Sequence, residues 1–126
     1  MMSNSKQKGV PLTNFPFMED HMLAKAMENL DWNSLNQFKL FKNSFRPLQP
    51  LRRIFGLLIL EHLRGVEGEE LLQQWLEVPM MQYFTGEDLF HWELPISNQE
   101  ILMCKKQLSE EGKTLLQSMI KETKII

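Results

Sequence analysis

Residues 51–86 read LRRIFGLLILEHLRGVEGEELLQQWLEVPMMQYFTG, and this stretch decides the fold. Its first part carries apolar side chains on nearly every face of a helix, a pattern typical of a helix buried on all sides. Pro50 suits the first turn of such a helix, because a missing N–H group costs nothing there. Gly65 stands where a left-handed helix C-cap belongs. We therefore predict a buried central helix over residues 51–64.

The remainder of the stretch predicts two more helices. Glu67, Glu69 and Glu70 occupy the first turn of the next helix, where the helix dipole favours negative charge. Its buried stripe consists of Leu71, Leu72, Trp75 and Leu76. Pro79 starts a further short helix that ends near Thr85 and Gly86. The two helices have only loosely the proportions of a helix–turn–helix motif.

Before the central helix, the sequence predicts a flexible lead-in and two helices. Residues 1–16 show little periodicity, so we expect a flexible segment there. A helix starting at Glu19 would place one stripe inward, formed by Met22, Leu23, Ala26, Met27 and Leu30. Asp31 caps a second predicted helix, whose inner stripe is Leu35, Phe38 and Phe41 or Phe45. Residues 46–50 hold two prolines and should form an ordered connection.

After the central stretch, we expect an irregular segment over 86–95 and then two helices. Ser97 and Glu100 have the spacing of a capping box. The helix that they start has a stripe of Ile101, Cys104 and Leu108. Ser109 opens the last helix, whose apolar face is Leu115, Leu116, Met119 and Ile120. The sequence thus predicts an all-α fold, a compact bundle of about six or seven helices in a single domain over residues 17–126.

Composition narrows the class of protein. A chain of 126 residues can form one domain with its own core. Cys104 is the single cysteine, so an internal disulfide is impossible and a reducing cytoplasm is the simplest setting. The N-terminal residues are polar, without the apolar run of a secretory signal. Residues 54–60 form the longest apolar run, far short of the roughly 20 residues that cross a bilayer. We expect a cytoplasmic protein with no membrane contact.

The formal net charge of −2 conceals an asymmetry between the two halves of the chain. Residues 1–64 carry nine Lys and Arg against five Asp and Glu, a balance of +4. Residues 65–126 carry five against eleven, a balance of −6. Phosphate neutralisation supplies much of the affinity of DNA-binding domains, which are usually basic. The overall balance therefore counts against strong DNA binding.

Three blocks, spread over about residues 20–116, carry a resemblance to a known family. The first block is Leu30-Asp31-Trp32 with Leu35. The second is Arg46-Pro47, Pro50-Leu51-Arg52 and Gly56-Leu57-Leu58-Ile59-Leu60. The third is Glu69-Glu70-Leu71, Trp75, Glu77, Pro79, Gln82-Tyr83-Phe84, Gly86 and Pro95, followed by Glu110-Glu111-Gly112. In their order and spacing these blocks resemble the helical N-terminal domain of bacterial insertion-sequence transposases of the DDE type, the IS-five group.

Two departures from the family pattern weaken the surface expected to touch phosphates. Members usually place several Arg and Lys with an aromatic residue before the Glu-Glu-Gly element, where this chain has Met103-Cys104-Lys105-Lys106-Gln107. Their Asn-Pro-aromatic pattern is replaced here by Val78-Pro79-Met80.

The resemblance implies a catalytic domain, of RNase H-like fold with two metals held by three carboxylates, on the C-terminal side. The chain ends at Ile126, so we expect a truncated transposase that is not an enzyme and has no cofactor. Glu69 and Glu70 cannot replace those carboxylates, because adjacent helical residues point about 100° apart. His21, His62 and His91 are scattered without metal-ligand spacing, so no metal site is expected. Cys104, on an apolar stripe, is interpreted as a buried small hydrophobe.

The candidate DNA-binding residues are Arg46, Arg52, Arg53, Arg64, Lys105 and Lys106. The alternative is that they are solvated helix ends, or that Arg52 and Arg53 pair with nearby carboxylates. A group of large aromatic residues is expected in the core, namely Trp75, Tyr83, Phe84, Phe90 and Trp92. Exposure of part of this group would instead favour docking of a partner.

Two functional hypotheses follow from the resemblance. The first is a DNA-binding and assembly module that recognises transposon ends and positions a catalytic domain supplied elsewhere. The second is a protein-interaction module that pairs with itself or with a full-length transposase and regulates it. A decayed fragment that folds without a function is a third outcome.

Overall fold

The structure, a computed structural model, describes residues 10–14 and 22–123. Its α-helices are α1 (Met22–Glu28), α2 (Leu51–Arg64), α3 (Gly68–Glu77), α4 (Pro79–Phe84), α5 (Asn98–Lys106) and α6 (Glu110–Glu122). Short 3₁₀ helices cover Leu12–Asn14 and Trp32–Asn36. Within these residues strand pairing is limited to isolated bridges, Pro11 with Leu89 and Phe41 with Leu108. The all-α prediction is confirmed. The predicted helix start at Glu19 and most of the lead-in lie outside the described residues, and the domain limits stay a prediction.

Helix α2 is the centre of the core, as predicted. All seven residues from Ile54 to Leu60 are buried. Pro50 is the N-cap residue, and Gly65 closes the helix in the left-handed region at φ 69°. Each large apolar side chain buried in this way contributes roughly 1.5–3 kcal/mol relative to exposure. Helix α6 and the second 3₁₀ helix both pack against α2.

Helices α3 and α4 follow the predicted limits closely. Glu69 and Glu70 lie in the first turn of α3, while Glu67 is its N-cap residue and makes no side-chain cap. The Trp75 indole donates a hydrogen bond of 2.9 Å to the hydroxyl of Thr85, the C-cap residue of α4. Thr85 also lies against Gly56 of α2, where an added Cβ would be 2.9 Å from the Thr85 methyl carbon. Gly56 thus allows the close approach of α4 to α2.

The helix predicted after Asp31 is wrong in length. Asp31 does cap it, accepting a hydrogen bond from the Asn33 amide at 3.1 Å, but only the 3₁₀ turn Trp32–Asn36 forms. The chain is then extended beside residues 107–109. The Lys42 amide donates to the Gln107 carbonyl at 2.7 Å, and the Ser109 amide donates to the Leu40 carbonyl at 2.8 Å. Backbone groups used in this pairing cannot also form a helical ladder.

The C-terminal helices α5 and α6 have the predicted caps. The Glu100 amide donates to the Ser97 hydroxyl at 3.2 Å, and the Ser97 amide donates to the Glu100 carboxylate at 2.9 Å. The Ser109 hydroxyl accepts from the Gly112 amide at 2.9 Å. Gly112 is buried against the main chain of residue 40, where an added Cβ would overlap the Leu40 carbonyl oxygen. The apolar stripes of both helices face the core.

Candidate nucleic-acid interface

Arg53, in the first turn of α2, is held inside the protein by a carboxylate. Its Nε donates to Glu87 Oε2 at 2.8 Å and its Nη2 donates to Oε1 at 2.7 Å, a bidentate pair. The side chains are 14% and 7% exposed, respectively. The third donor, Nη1, reaches the Gln49 amide oxygen at 2.7 Å. The predicted alternative of carboxylate pairing is confirmed for Arg53, and a phosphate would have to displace Glu87 to reach it.

Glu87 is the acceptor on which a buried polar network converges. His91 Nε2 lies 2.9 Å from Glu87 Oε1, and the Thr85 hydroxyl donates to Oε2 at 3.3 Å. Burial raises the pKa of Glu87, but the hydrogen bonds and charges of Arg53 and His91 outweigh it and hold that pKa below its ordinary value. Glu87 is therefore an ionised, internally satisfied carboxylate.

Arg52 is also engaged within the fold. Its guanidinium carbon lies 4.3 Å from the ring centroid of Trp32, a cation–π contact, and Nε donates to the Phe84 carbonyl at 3.3 Å. Burial lowers the pKa of Arg52 from its ordinary value, although it remains protonated at neutral pH. Gly86, at φ 89°, lies against the stem of this side chain. Arg52 therefore joins the second 3₁₀ helix to the end of α4.

Lys105 forms ion pairs at the other end of α2. Its Nζ lies 3.0 Å from a Glu61 carboxylate oxygen and 3.7 Å from one of Glu67. Arg64, in the last turn of α2, is exposed and has no carboxylate partner within the described part of the chain. It lies about 18 Å along the axis from Arg52, at 1.5 Å per residue. The six candidate residues thus do not form one continuous patch.

Arg46 and Lys106 are exposed and lack a carboxylate partner among the residues described. Two lysines that the sequence reasoning missed join them, Lys39 and Lys42, which are exposed and equally unpaired. The Lys42–Gln107 backbone bond brings Lys42 near Lys106, the residue before Gln107, and Lys39 and Arg46 both line an open groove formed by residues 35–51. We call Lys39, Lys42, Arg46 and Lys106 the basic edge.

A sequence signal for the basic edge exists in the distribution of acids. Between Asp31 and Glu61 the chain has five Lys and Arg and not one Asp or Glu. The structure separates these five, because Arg52 and Arg53 turn inward while Lys39, Lys42 and Arg46 stay outside. The Glu111 carboxylate approaches the basic edge and accepts the Lys39 amide at 3.2 Å.

The predicted aromatic core is correct for Trp75 and Phe84, which are fully buried. Trp92 is 49% exposed, so its assignment to the core is wrong. The carboxamide of Gln82 accepts the His91 amide at 2.7 Å and donates to the His91 carbonyl at 3.1 Å. The His91 ring then packs beside Trp75, with centroids 5.5 Å apart. The His91 ring thus takes the place against the core at this point of the chain, and the next residue, Trp92, is exposed to solvent.

Metal-ligating side chains do not cluster in the described ranges. No group of three or more His, Cys, Asp or Glu residues there could hold a metal ion. Cys104 is buried, as predicted, and burial together with the charge of Glu100 raises its pKa to about 11. Such a thiol is a packing residue at neutral pH, because the thiolate is the nucleophile. No helix over the residues described is long and apolar enough to span a membrane.

Comparison with known proteins relates most of the chain to one family. The family described as "Transposase domain (DUF772)" matches residues 13–99. A protein of Rhizobium meliloti, described as uncharacterized protein ORF8 in nfe locus, is 31% identical over 67 residues, 53% of this chain and 32% of that protein. The match thus spans about a third of that relative's length. No solved structure matches the chain.

Proposed function

This chain belongs to the DUF772 family of transposase domains, and from that premise we propose that it binds the DNA ends of a transposable element through the basic edge. In this proposal the chain positions DNA for a catalytic domain supplied elsewhere and breaks no bonds itself. Family membership confirms the predicted relation to transposases. The narrower assignment to the IS-five group, and the cytoplasm as its location, are part of the proposal.

The availability of the four cations of the basic edge carries this proposal. Lys39, Lys42, Arg46 and Lys106 are exposed and have no carboxylate partner within residues 22–123. Arg52, Arg53 and Lys105 already interact with a ring or with carboxylates. A free cation gains more from a phosphate than a paired one, because no existing ion pair must be broken first. The predicted DNA contacts therefore shift from six residues at both ends of α2 to these four.

The acidic second half of the chain restricts the part of the surface to which DNA can bind. Residues 65–126 carry a balance of −6, and their exposed carboxylates repel a polyanion. A duplex is therefore attracted at the basic edge and repelled by the exposed carboxylates of residues 65–126. Four phosphate contacts correspond to a slope of about −3.6 in a plot of log affinity against log salt. Such binding is weak at high salt.

Fluorescence anisotropy with a labelled duplex tests the proposal. The duplex carries the inverted repeats that flank the gene, and affinity is measured between about 50 and 200 mM salt. The double variant K42Q/K106Q should bring the slope closer to zero by about 2. The control K25Q/K121Q has the same change of net charge at exposed last-turn lysines of α1 and α6, and should keep the slope. Absence of duplex binding at low salt, or equal effects of both variants, would contradict the proposal.

The exposure of Trp92 supports a second candidate function, docking of a partner protein. Phe90 packs edge-on against Trp92 with centroids 4.8 Å apart, and Leu94 is exposed nearby in the chain. Large aromatic residues dominate protein-interface hot spots. In this version the chain pairs with itself or with a full-length transposase. Light scattering of the chain alone and mixed with that enzyme should then show a complex that W92A abolishes; unchanged monomers in both experiments would contradict it.

A further inference from the structure

Residues 35–51 surround an open groove of about 560 Å³ beside the basic edge. This volume is within the range of small-ligand sites in proteins, roughly 300–1,000 Å³. The groove is lined by three aromatic side chains, two cations and several small polar groups. The lining residues that bear on its chemistry are Phe38, Lys39, Asn43, Ser44, Phe45 and Arg46.

The charge of the groove favours an anion. Lys39 and Arg46 contribute two positive charges, and none of the lining residues is acidic. Two carboxylates hydrogen-bond to lining residues, but neither of them lines the groove itself. Glu111 accepts the Lys39 amide, and Glu100 accepts hydrogen bonds from the Ser97 amide and from the Gln49 side chain.

The apolar part of the groove offers a ring face. Phe38 is 47% exposed, whereas Phe45 is fixed against Phe41 with centroids 5.4 Å apart. Asn43 turns the chain at φ 51°, and the side chains of Asn43 and Ser44 make no hydrogen bond to any described residue. An exposed ring, flanking cations and free amide and hydroxyl groups together match the requirements of an unpaired nucleotide, which stacks, carries phosphate and presents a polar base edge.

We propose that this groove binds an unpaired nucleotide of a DNA single strand, with its base stacked on Phe38 and its flanking phosphates on Lys39 and Arg46. The inference rests on the proposed function, since the basic edge brings DNA to the same place. It adds a preference for a strand that has left the duplex. Asn43 and Ser44 are then placed to hydrogen-bond the base edge.

A comparison of three DNA probes tests the inference on the unaltered protein. The probes are a single strand, the same strand with one abasic position, and the matching duplex. Removal of the base should weaken single-strand binding roughly 5- to 150-fold, the range that stacking on one aromatic residue supplies. Equal affinity for the intact and abasic strands overturns the inference without any mutation.

Variants of Phe38 locate the effect. F38A should bind intact and abasic strands equally, with duplex affinity unchanged, and F38W should restore the difference. L48A is the matched control, because Leu48 is 92% exposed in the same segment but does not line the groove. If F38A weakens the binding of the single strand and of the duplex by the same factor, the inference is overturned. A dimer, seen by light scattering, that F38A dissociates would also overturn it, because a second copy would then occupy the groove.

The two proposals fail in different experiments. Lys42 and Lys106 do not line the groove, so the K42Q/K106Q variant tests duplex binding through the basic edge and not the groove. The abasic strand and the F38A variant test whether a base stacks on Phe38. A protein with a normal duplex salt slope but no response to base removal retains the proposed function and loses the groove ligand.

Discussion

Loss of either partner of the Arg53–Glu87 pair should destabilise the fold strongly. E87A removes the bidentate acceptor of Arg53, whose side chain is only 14% exposed in the unaltered protein. Removal of one partner from a buried ion pair typically costs about 3–5 kcal/mol, because the remaining charge stays desolvated. His91 and Thr85 lose an acceptor at the same time. We therefore expect E87A to lower the free energy of unfolding by about 3–5 kcal/mol.

Urea unfolding followed by tryptophan fluorescence measures this loss, and a double-mutant cycle assigns it. R53A should cost a similar amount, but R53A/E87A should cost less than the two single variants added, by about 0.5–3 kcal/mol. The control K113Q alters an exposed i,i+3 pair with Glu110 and should change stability by less than about 1 kcal/mol. Additive single effects, or a loss below about 1 kcal/mol in E87A, would refute the account of a coupled buried pair.

The same pair fixes the sign of a pH effect. The pKa of Glu87 is lower in the folded protein than its ordinary value, so its ionised form is favoured by folding. This stabilisation is complete above the ordinary glutamate pKa of about 4.3 and is lost as pH falls through the lower folded value. Wild-type protein should therefore lose stability on acidification below about pH 5 more steeply than E87Q does. Parallel pH profiles of the two proteins would contradict this assignment.

Three further variants or reagents test the packing. G112A should lower the free energy of unfolding by at least about 2 kcal/mol, because the new Cβ meets a carbonyl oxygen of the main chain; thermal melting checks this, and a loss under about 0.5 kcal/mol would contradict it. S97A removes the α5 cap and should cost about 1 kcal/mol in urea unfolding, whereas S118A, on the exposed face of α6, should cost almost nothing. Cys104 should react slowly with iodoacetamide at pH 8 while folded and quickly in urea, because burial raises its pKa to about 11; equal rates would show an accessible thiolate.

The structure divides the predicted DNA-binding residues into cations that have partners within the fold and cations that remain exposed to bind phosphate. Arg52 belongs to the Pro50-Leu51-Arg52 block of the family resemblance and Arg53 follows it, yet both serve the packing of α2 against the end of α4. Lys39 and Lys42 lie in the acid-free stretch between Asp31 and Glu61, but that stretch also contains Arg52 and Arg53 and does not distinguish exposed from engaged cations. Beside them, residues 40–42 pair with residues 107–109, a contact that no local sequence pattern predicts.

Local features of the sequence were sufficient for most of the helices. The apolar run of 54–60, the left-handed Gly65 and the Ser97–Glu100 box act within a few residues, so their spacing alone predicts α2 and the start of α5. The same holds for Pro79 and the short α4. Helix propagation is a local process, and sequence periodicity reports it directly.

Only the tertiary structure determined which polar and aromatic side chains are exposed to solvent. Arg53 and Glu87 are 34 positions apart, Lys42 and Gln107 are 65 apart, and neither distance corresponds to a helical period. The short 3₁₀ turn after Asp31 is followed by such a long-range pairing, that of residues 40–42 with 107–109. A side chain's exposure depends on whichever segment packs over it, and that segment can come from anywhere in the chain.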